Sequence, residues 1–396
     1  MRFISLLGIL VLVFVLYLFS TNKKKINKKM IGKALIIQII FAFLIVKFPV
    51  GQWIMEKFSA IVSTVINYGY EGLNFVFGGL SNQNAPTGMI FGIQTLGIII
   101  FVSALASALN YLGVIGWIVE KLGKIIEKFF GVSRAESFVV CANMFLGQTD
   151  APILVKNVLP RMNKSELLLV LISGMGSISA TILIGYAGLG IPMKYLLIAC
   201  LLVPLSSIVV SKLLIPQTEE VYKGDVKADL KGDSENLLSA ITDGAMSGMN
   251  MAMAIGASLI AIISIVALLN GVLGIFGLSL QGILSVIFSP IAFLMGVPFN
   301  HIMDASSLLG SKMALNEFVA YGQLGHIIGS LSPREGLMLA VALCGFANVS
   351  SIGICIGGIS ILAPSKKNDI SKLAVKGMIG GFLVSVLSAM IIGFIF

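Results

Sequence analysis

Two polar clusters interrupt long apolar stretches of the chain, and each contains a carboxylate. Gln148, Thr149 and Asp150 lie within CANMFLGQTDAPILV, and Glu317 lies within LNEFVAY. A charged side chain in the hydrocarbon region costs about 2.5–3.5 kcal/mol on insertion scales, so intramembrane carboxylates mark solute or ion pathways. They are tolerated where unwound backbone lines a water-filled cavity. Both clusters are therefore predicted to form part of a solute site. The alternative for Asp150 is a structural cap or a hydrogen bond between helices.

A third polar cluster, CGFANVSSI, interrupts an apolar stretch at Asn348. Asn348 needs hydrogen-bond partners on both faces of its amide, whereas Ser350 and Ser351 commonly bond back to their own helix. The carboxylates, the amides and Phe346 suit a neutral solute with hydroxyl groups and a flat ring, because a carboxylate accepts two hydroxyl hydrogen bonds. These segments hold no cationic cluster for phosphate, which disfavours nucleotides and sugar phosphates. The residues alone predict a polyhydroxylated, uncharged solute.

Three further polar residues lie near these clusters. Asn143 and Ser177 could supply oxygen atoms to a small hard cation together with freed backbone carbonyls, or could join neighbouring helices. Lys312 lies five residues before Glu317 and could neutralise it in a buried salt bridge. The residues alone leave these alternatives open.

The composition predicts that the elements carrying these clusters lie in a membrane. Apolar residues make up 57% of the 396 residues, charged residues make up 11%, and the mean hydropathy is +1.01. Soluble domains carry about 25% charged residues, so most of this surface must face lipid. The four cysteines and two histidines show no metal-ligand spacing. The net charge of +9 is attributed to the membrane surface rather than to nucleic-acid binding.

The predicted fold class is an all-α polytopic membrane protein with eight transmembrane helices, two re-entrant helical hairpins and interfacial helices. Each span is an apolar run near the ~20 residues that cross a bilayer. The spans are placed at 3–20, 31–50, 88–114, 167–189, 192–214, 250–276, 337–362 and 374–396. The hairpins are placed at about 134–160 and 286–325, where apolar stretches have polar centres. Segment 114–130 is predicted to be interfacial, because its three lysines lie opposite its apolar face.

The distribution of lysine and arginine orients the chain. With segment 21–33 in the cytoplasm, the basic residues of segments 121–134, 156–164, 212–231 and 366–376 lie on the same side. The positive-inside bias therefore predicts a plasma-membrane protein with both termini outside. The first span is followed by lysines rather than by a small-residue cleavage site, which predicts a retained anchor.

Two similar halves related by an inverted repeat are predicted, because each half has a polar hairpin followed by a helix interrupted at Gly and Ser. The predicted regions are N-terminal, largely scaffold helices at 1–114, a first repeat at 115–216, a cytoplasmic linker at 217–235, a second repeat at 236–362 and a C-terminal transmembrane helix at 363–396.

At its polar clusters the chain resembles the concentrative nucleoside transporter family in its shorter bacterial form. The resemblance rests on GQTDAP at 147–152, NEFVAY at 316–321 and CGFANVSSI at 344–352, which occur in the family's order. It extends from about residue 90 to the C-terminus. It implies a homotrimer in which each subunit moves a transport domain against a scaffold, which is an elevator-type form of alternating access.

The resemblance also implies roles for individual residues. The residues implied to hold or contact the nucleoside on its ribose side are Glu317, Asn348, Ser351 and Phe346. The residues implied to meet the base are Gln148, Thr149, Asp150 and Ile182. The implied sodium ligands are the side chains of Asn143 and Ser177 and the backbone carbonyls of Leu146 and Ile178. Asp150 replaces the family's usual glutamate and Ile182 replaces a smaller valine, so no base preference is predicted.

The predicted function is nucleoside import by cation symport, with sodium as the coupling ion and no bound cofactor. A proton carried by Asp150 or Glu317 is the alternative coupling ion. A channel or sensor on the same fold is a further alternative. An intramembrane enzyme using both carboxylates is another, although no nucleophile–base pair or metal motif accompanies them. The predicted partners are a nucleoside, the lipid bilayer and two further copies of the chain.

Overall fold

The computed structural model describes residues 1–82, 88–221 and 234–396, and these residues form helices joined by turns, without β-strands. A helix satisfies its own backbone hydrogen bonds, which the interior of a bilayer cannot do. Six helical segments among the described residues are long and apolar enough to cross a membrane by length and composition. The predicted all-α membrane fold is confirmed.

The N-terminal part of the chain contains five helices, one of which the sequence interpretation overlooked. They are α1 (Arg2–Leu18), α2 (Lys28–Val46), α3 (Pro49–Phe77), α4 (Phe91–Gln94) and α5 (Ile98–Tyr111). The overlooked helix is α3, where polar residues such as Glu56 and Glu71 recur and lower the hydropathy. Its buried residues, including Met55, Ile66 and Leu73, lie on one face. A turn at 95–97 divides the predicted span 88–114 into α4 and α5.

The first repeat begins with α6 (Val114–Phe130), which confirms the amphipathic helix predicted at 114–130. Its apolar face, including Ile115 and Val119, is buried, and Lys124 on the polar face pairs with Glu120 at 2.6 Å between Nζ and Oε1. The helices that follow are α7 (Arg134–Ala142), α8 (Lys164–Gly176), α9 (Ala180–Gly188) and α10 (Met193–Leu214). Between α7 and α8 the chain returns through two short 3-10 turns, which complete the first hairpin.

The second half opens with a helix of 38 residues, α11 (Leu237–Gly274). The helices after it are α12 (Leu280–Met295), α13 (Ile302–Ala314), α14 (Glu317–Ile327), α15 (Pro333–Leu343), α16 (Val349–Leu362) and α17 (Lys367–Ile395). The prediction of a hairpin at 286–325 was wrong at its start, because 286–295 belongs to α12. Gly296, with a φ of 81°, ends α12, so only α13 and α14 form the hairpin. The predicted linker 217–235 lies mostly outside the described residues.

Both predicted helix interruptions are confirmed. α8 and α9 are separated by residues 177–179, and α15 and α16 by residues 344–348. The predicted spans 167–189 and 337–362 are therefore pairs of half-helices. α8 packs against α10 and α17, and α15 packs against the same two helices, so the two interrupted helices share one buried core. The site residues lie where these interruptions meet the hairpin tips.

Candidate functional site

The two interrupted helices begin with the same local chemistry. Asn163 caps α8 in a capping box with Glu166, and Ser332 caps α15 in a capping box with Glu335. Each box satisfies two of the backbone N–H groups that a helix start leaves free. The two caps are as far apart in sequence as the starts of α9 and α16, which lie at residues 180 and 349. The half-helices of the two halves therefore begin at corresponding positions.

The carboxylate of Glu317 lies between the two halves of the molecule. Asn316 caps α14 by accepting a hydrogen bond from the backbone N–H of Val319, and this places Glu317 in the first turn. Its Oε1 accepts a hydrogen bond from the hydroxyl of Tyr186 at 3.2 Å, and its Oε2 accepts one from Nδ2 of Asn348 at 3.1 Å. Glu317 is only 4% exposed. A buried carboxylate with two neutral donors keeps further lone pairs for a ligand's hydroxyl groups.

Asn348 uses both faces of its amide, as its position in an apolar helix requires. Its Oδ1 caps α16 by accepting from the backbone N–H of Ser351 at 3.1 Å, and it also accepts from the hydroxyls of Ser351 and Ser350. Its Nδ2 donates to Glu317. Phe346 lies half-buried in the same interruption. The structure thus joins Glu317, Asn348 and Ser351 in one network at the positive end of α16.

Gln148 and Thr149, at the tip of the first hairpin, face the other interrupted helix. Oε1 of Gln148 accepts a hydrogen bond from the thiol of Cys355 at 3.2 Å. Thr149 packs on α16 at Gly358, where an added Cβ would lie 2.7 Å from Cγ2 of the threonine. Gly174 similarly leaves room for Gln148 against α8. These two residues are therefore held by contacts between the halves.

The contacts of the two hairpin tips are reciprocal. Gln148 and Glu317 are as far apart in sequence as the caps of α8 and α15, so they occupy equivalent positions in the two halves. Tyr186, the partner of Glu317, and Cys355, the partner of Gln148, are related by the same sequence separation. Each tip therefore bonds to the half-helix of the opposite half at the same position. Such an exchange of contacts is the signature of a two-fold axis. This exchange supports the predicted inverted repeat with evidence from side-chain contacts, which is independent of sequence similarity.

Asp150 lies apart from the other residues assigned to the base. Its side chain is exposed, and its Oδ1 accepts a hydrogen bond from the hydroxyl of Thr149 at 3.2 Å. It lines a cavity of about 600 Å³ between the first hairpin, α5, α9 and α11, together with Leu146 and Ser179. Gln148 does not line this cavity. Gln148 and Asp150, two residues apart in the chain, thus face different surroundings.

Tyr186 is a site residue that the sequence interpretation missed. Its ring stacks on Tyr321 with 4.3 Å between ring centroids and lies 4.6 Å from that of Phe318. Both aromatic partners are on α14, so α9 is fixed against the second hairpin. Ile182 is buried one turn earlier on the same face of α9. Because Ile182 was already assigned to the site, its helical spacing from Tyr186 could have indicated that Tyr186 also faces the site.

The residues implied to bind sodium surround the interruption between α8 and α9. Nδ2 of Asn143 donates to Oγ of Ser173 at 3.0 Å, while its Oδ1 is buried and has no hydrogen-bond partner among the described residues. The backbone N–H of Ala180 donates to the carbonyl of Phe145 at 2.9 Å, which joins the segments that contain Leu146 and Ile178. An unpaired buried oxygen beside freed carbonyls fits a hard cation. The hydroxyl of Ser177 donates its hydrogen to the carbonyl of Ser173 at 2.7 Å, and its oxygen keeps lone pairs that could bind a cation.

The salt bridge suggested for Lys312 and Glu317 is not formed. Nζ of Lys312 instead donates to the carbonyls of Ala342 at 2.9 Å and Cys344 at 2.6 Å and to Oγ of Ser385 at 2.7 Å. The last turn of α15 leaves its carbonyls without helical partners, and these attract the ammonium group. Lys312 therefore caps the C-terminal end of the half-helix α15.

Comparisons with known proteins agree with this arrangement. Three family profiles match the chain: the C-terminus of the Na+-dependent nucleoside transporters at residues 195–393, their N-terminus at 7–80, and a nucleoside recognition (Gate) domain at 92–193. Nucleoside permease NupC of Helicobacter pylori is 37% identical over 98% of this chain and 96% of its own length. The chain belongs to the Na+-dependent, or concentrative, nucleoside transporter family.

Solved structures of a member of this family have the same fold. The inward-facing, substrate-bound state of CNTnw aligns with a TM-score of 0.95 at 36% identity, covering 99% of this chain and 98% of that chain. A CNTnw variant in an outward-facing state aligns with a TM-score of 0.94 at 35% identity, covering 100% and 97%. Because the relatives of this multi-pass membrane protein are transporters and permeases, it is a transporter and not an enzyme.

The crossing of the two interruptions depends on Gly345, and its replacement gives a stability prediction. Gly345 has a φ of 107°, and an added Cβ would lie 2.3 Å from the carbonyl oxygen of Gly176. Gly345→Ala is expected to destabilise the fold by about 3 kcal/mol or more, through backbone strain and overpacking. The measurement is the thermal unfolding midpoint of purified protein in detergent.

The control for this prediction is Gly353→Ala, on α16 in the same half. An added Cβ at Gly353 meets nothing within 4 Å, so this variant is expected to stay within about 1 kcal/mol of the parent. Equal midpoints for the two variants would contradict the proposed close crossing.

Proposed function

We propose that the protein imports nucleosides across the plasma membrane by symport with sodium. The observation that carries this proposal is the buried Glu317 carboxylate, which receives one hydrogen bond from each half of the molecule. A ligand that binds there would touch both halves at once. Such contacts would let ligand binding favour one conformation of the protein over another, as alternating access requires.

The ribose is proposed to bind at Glu317, Asn348 and Ser351, beside Phe346. A carboxylate has about four lone-pair sites, and Tyr186 and Asn348 use two of them. The remaining sites suit the vicinal hydroxyls of a ribose. The partial positive charge at the N-terminal end of α16 would strengthen these hydrogen bonds. This network supports a sugar-binding role for the second half.

The base is proposed to bind near the first hairpin, at Gln148, Thr149, Asp150 and Ile182. Of these four residues Asp150 lines the cavity of about 600 Å³, which supports a role for Asp150 on the base side. Asp150→Glu is expected to change the ranking among uridine, cytidine, adenosine, guanosine and inosine, by about 3- to 10-fold for the most affected base, because the carboxylate moves by one carbon–carbon bond of ~1.5 Å. The measurement is competition against labelled nucleoside uptake in proteoliposomes.

The outcome that contradicts this assignment is an equal loss of uptake for all five nucleosides. The matched control is Asp304→Glu, an exposed acid in the first turn of α13 outside the network. This control is expected to leave the ranking unchanged.

Sodium is proposed as the coupling ion, bound by Asn143, Ser177 and the carbonyls of Leu146 and Ile178. The unpaired buried Oδ1 of Asn143 supports sodium over a proton, because a proton would leave that oxygen unused. Uptake in proteoliposomes with sodium on the outside is expected to exceed uptake with choline by at least about 10-fold. Equal accumulation in choline would refute sodium coupling. Counterflow of labelled nucleoside, with accumulation against a gradient, separates a symporter from a channel or sensor.

We also propose a homotrimer that works by an elevator-type movement, with both termini outside. The long α11 supports an intersubunit role, because it packs on α5 while most of its apolar surface remains exposed. The basic segments at 21–33 and 366–376 support a cytoplasmic location for the C-terminal end of α1 and the N-terminal end of α17. Mass measurement in detergent and cysteine accessibility at the termini test these proposals.

A further inference from the structure

Lys312 and Asn143 occupy equivalent positions in the two halves. The separation in sequence that relates Gln148 to Glu317 also relates Asn143 to Lys312. Each residue belongs to the first arm of its hairpin, five positions before the equivalent tip residue. The second half therefore carries a lysine where the first half carries the proposed sodium ligand.

The contacts of Lys312 match those of an ammonium group. Its Nζ has three acceptors, namely the carbonyls of Ala342 and Cys344 and the hydroxyl oxygen of Ser385. The hydroxyl hydrogen of Ser385 is itself directed to the carbonyl of Phe382 at 2.9 Å, so Ser385 accepts from the lysine. Three donated hydrogen bonds require the three hydrogens of an ammonium group, since a neutral amine has two. The ammonium group also lies 5.6 Å from the ring centroid of Phe382.

The surroundings of this ammonium group resemble those of a bound cation. Lys312 is 0% exposed, and two of its three partners are carbonyls at the end of α15. The end of a helix carries partial negative charge, and carbonyl oxygens are ligands for hard cations. Asn143 lies beside the equivalent end of α8, where its Nδ2 donates to Oγ of Ser173 and its Oδ1 has no hydrogen-bond partner among the described residues.

We propose that Lys312 is a tethered cation, which occupies in the second half the place that sodium occupies in the first. This inference rests on the proposed sodium site at Asn143. The exchangeable sodium neutralises the end of α8, and the covalently attached lysine neutralises the end of α15. One sodium ion therefore accompanies each nucleoside, because the second cation position is filled by the chain itself.

The stoichiometry of the parent protein is the first test. Proteoliposomes take up ²²Na+ and tritiated uridine or adenosine, whichever the uptake panel ranks higher, and the initial rates are compared. The expected ratio of sodium to nucleoside is about one. A ratio of two overturns the inference alone. Uptake that is the same in choline overturns sodium coupling itself, and the inference with it.

Exchange of the equivalent residues is the second test. Lys312→Asn gives the second half the residue of the first, so the ratio is expected to rise to about two and the Hill coefficient for sodium from about 1 to about 2. Lys312→Met, which has neither charge nor an oxygen ligand, is the matched control and is expected to gain no sodium. A Lys312→Asn protein that transports with a ratio of one overturns the inference.

The converse variant keeps the proposal testable if Lys312→Asn does not fold. Asn143→Lys places an ammonium group at the proposed sodium position and is expected to perform nucleoside counterflow equally in sodium and in choline. Gel filtration first establishes that the variant is folded. Counterflow by folded Asn143→Lys that still requires sodium contradicts the equivalence of the two positions and overturns the inference.

Discussion

Glu317→Gln is expected to lower the uptake of every nucleoside by at least about 100-fold. A hydrogen bond to a charged group contributes about 1.5–3 kcal/mol, and the substitution weakens two that would hold the ribose. It also turns an NH2 group toward one of the donors Tyr186 and Asn348, so that two donors face each other. The measurement is initial uptake of uridine, cytidine, adenosine, guanosine and inosine in proteoliposomes, normalised to the amount of folded protein.

Two variants show whether this loss is specific to the site. Glu335→Gln changes another buried carboxylate of the same half, but glutamine also serves at that position of a capping box, so uptake is expected to stay within about two-fold. Tyr186→Phe removes one donor and keeps the carboxylate, and a loss of about 10-fold is expected. Uptake by Glu317→Gln at the level of Glu335→Gln would refute the ribose assignment.

Asn143→Ala is expected to raise the sodium concentration for half-maximal uptake by at least about 10-fold. The substitution removes the one buried oxygen at this position that has no partner among the described residues. A ligand that binds the folded state raises its stability, by about 2.7 kcal/mol at 100 times its dissociation constant. The sodium-induced rise of the thermal midpoint is therefore expected to disappear in this variant. Uptake and midpoint are measured as sodium is varied at constant ionic strength with choline.

The matched variant for this prediction is Asn143→Asp. It keeps an oxygen at the position of Oδ1, and the hydroxyl of Ser173 can donate to its second oxygen. Sodium dependence is expected to persist in Asn143→Asp. If Asn143→Ala shows the same sodium dependence as the parent protein, Asn143 is not a ligand and the sodium site lies elsewhere.

Local sequence was sufficient to find the hairpin tips and the interrupted helices. Gly147 and Pro152 flank the first tip, and Asn348 interrupts an apolar run, so the departures from a continuous helix are visible within a few residues. Amphipathic spacing was equally sufficient for α6. The boundaries that failed were those without such a signal. The apolar run at 286–295 joins α12 rather than the hairpin, because the end of α12 depends on the left-handed backbone of Gly296.

Closeness in sequence was a poor guide to spatial contact where a turn separates the two residues. Lys312 and Glu317 are close in sequence, yet one lies in α13 and the other begins α14, and the lysine reaches the end of α15 instead. Gln148 and Asp150 are two residues apart, yet one contacts α16 and the other lines the cavity. The direction of a side chain in a turn depends on the backbone there, which residue type does not determine.

The sequence by itself determined that this is a multi-pass membrane protein, where its polar clusters lie and to which family it is similar. Composition, apolar run length and short motifs carry that information, because each depends on residues near one another in the chain. Only the tertiary structure decided the partners: Tyr186 for Glu317, Cys355 for Gln148, and the end of α15 for Lys312. These contacts join residues of different parts of the chain, and the close approach of Gly345 to Gly176, where the two helix interruptions meet, brings them together.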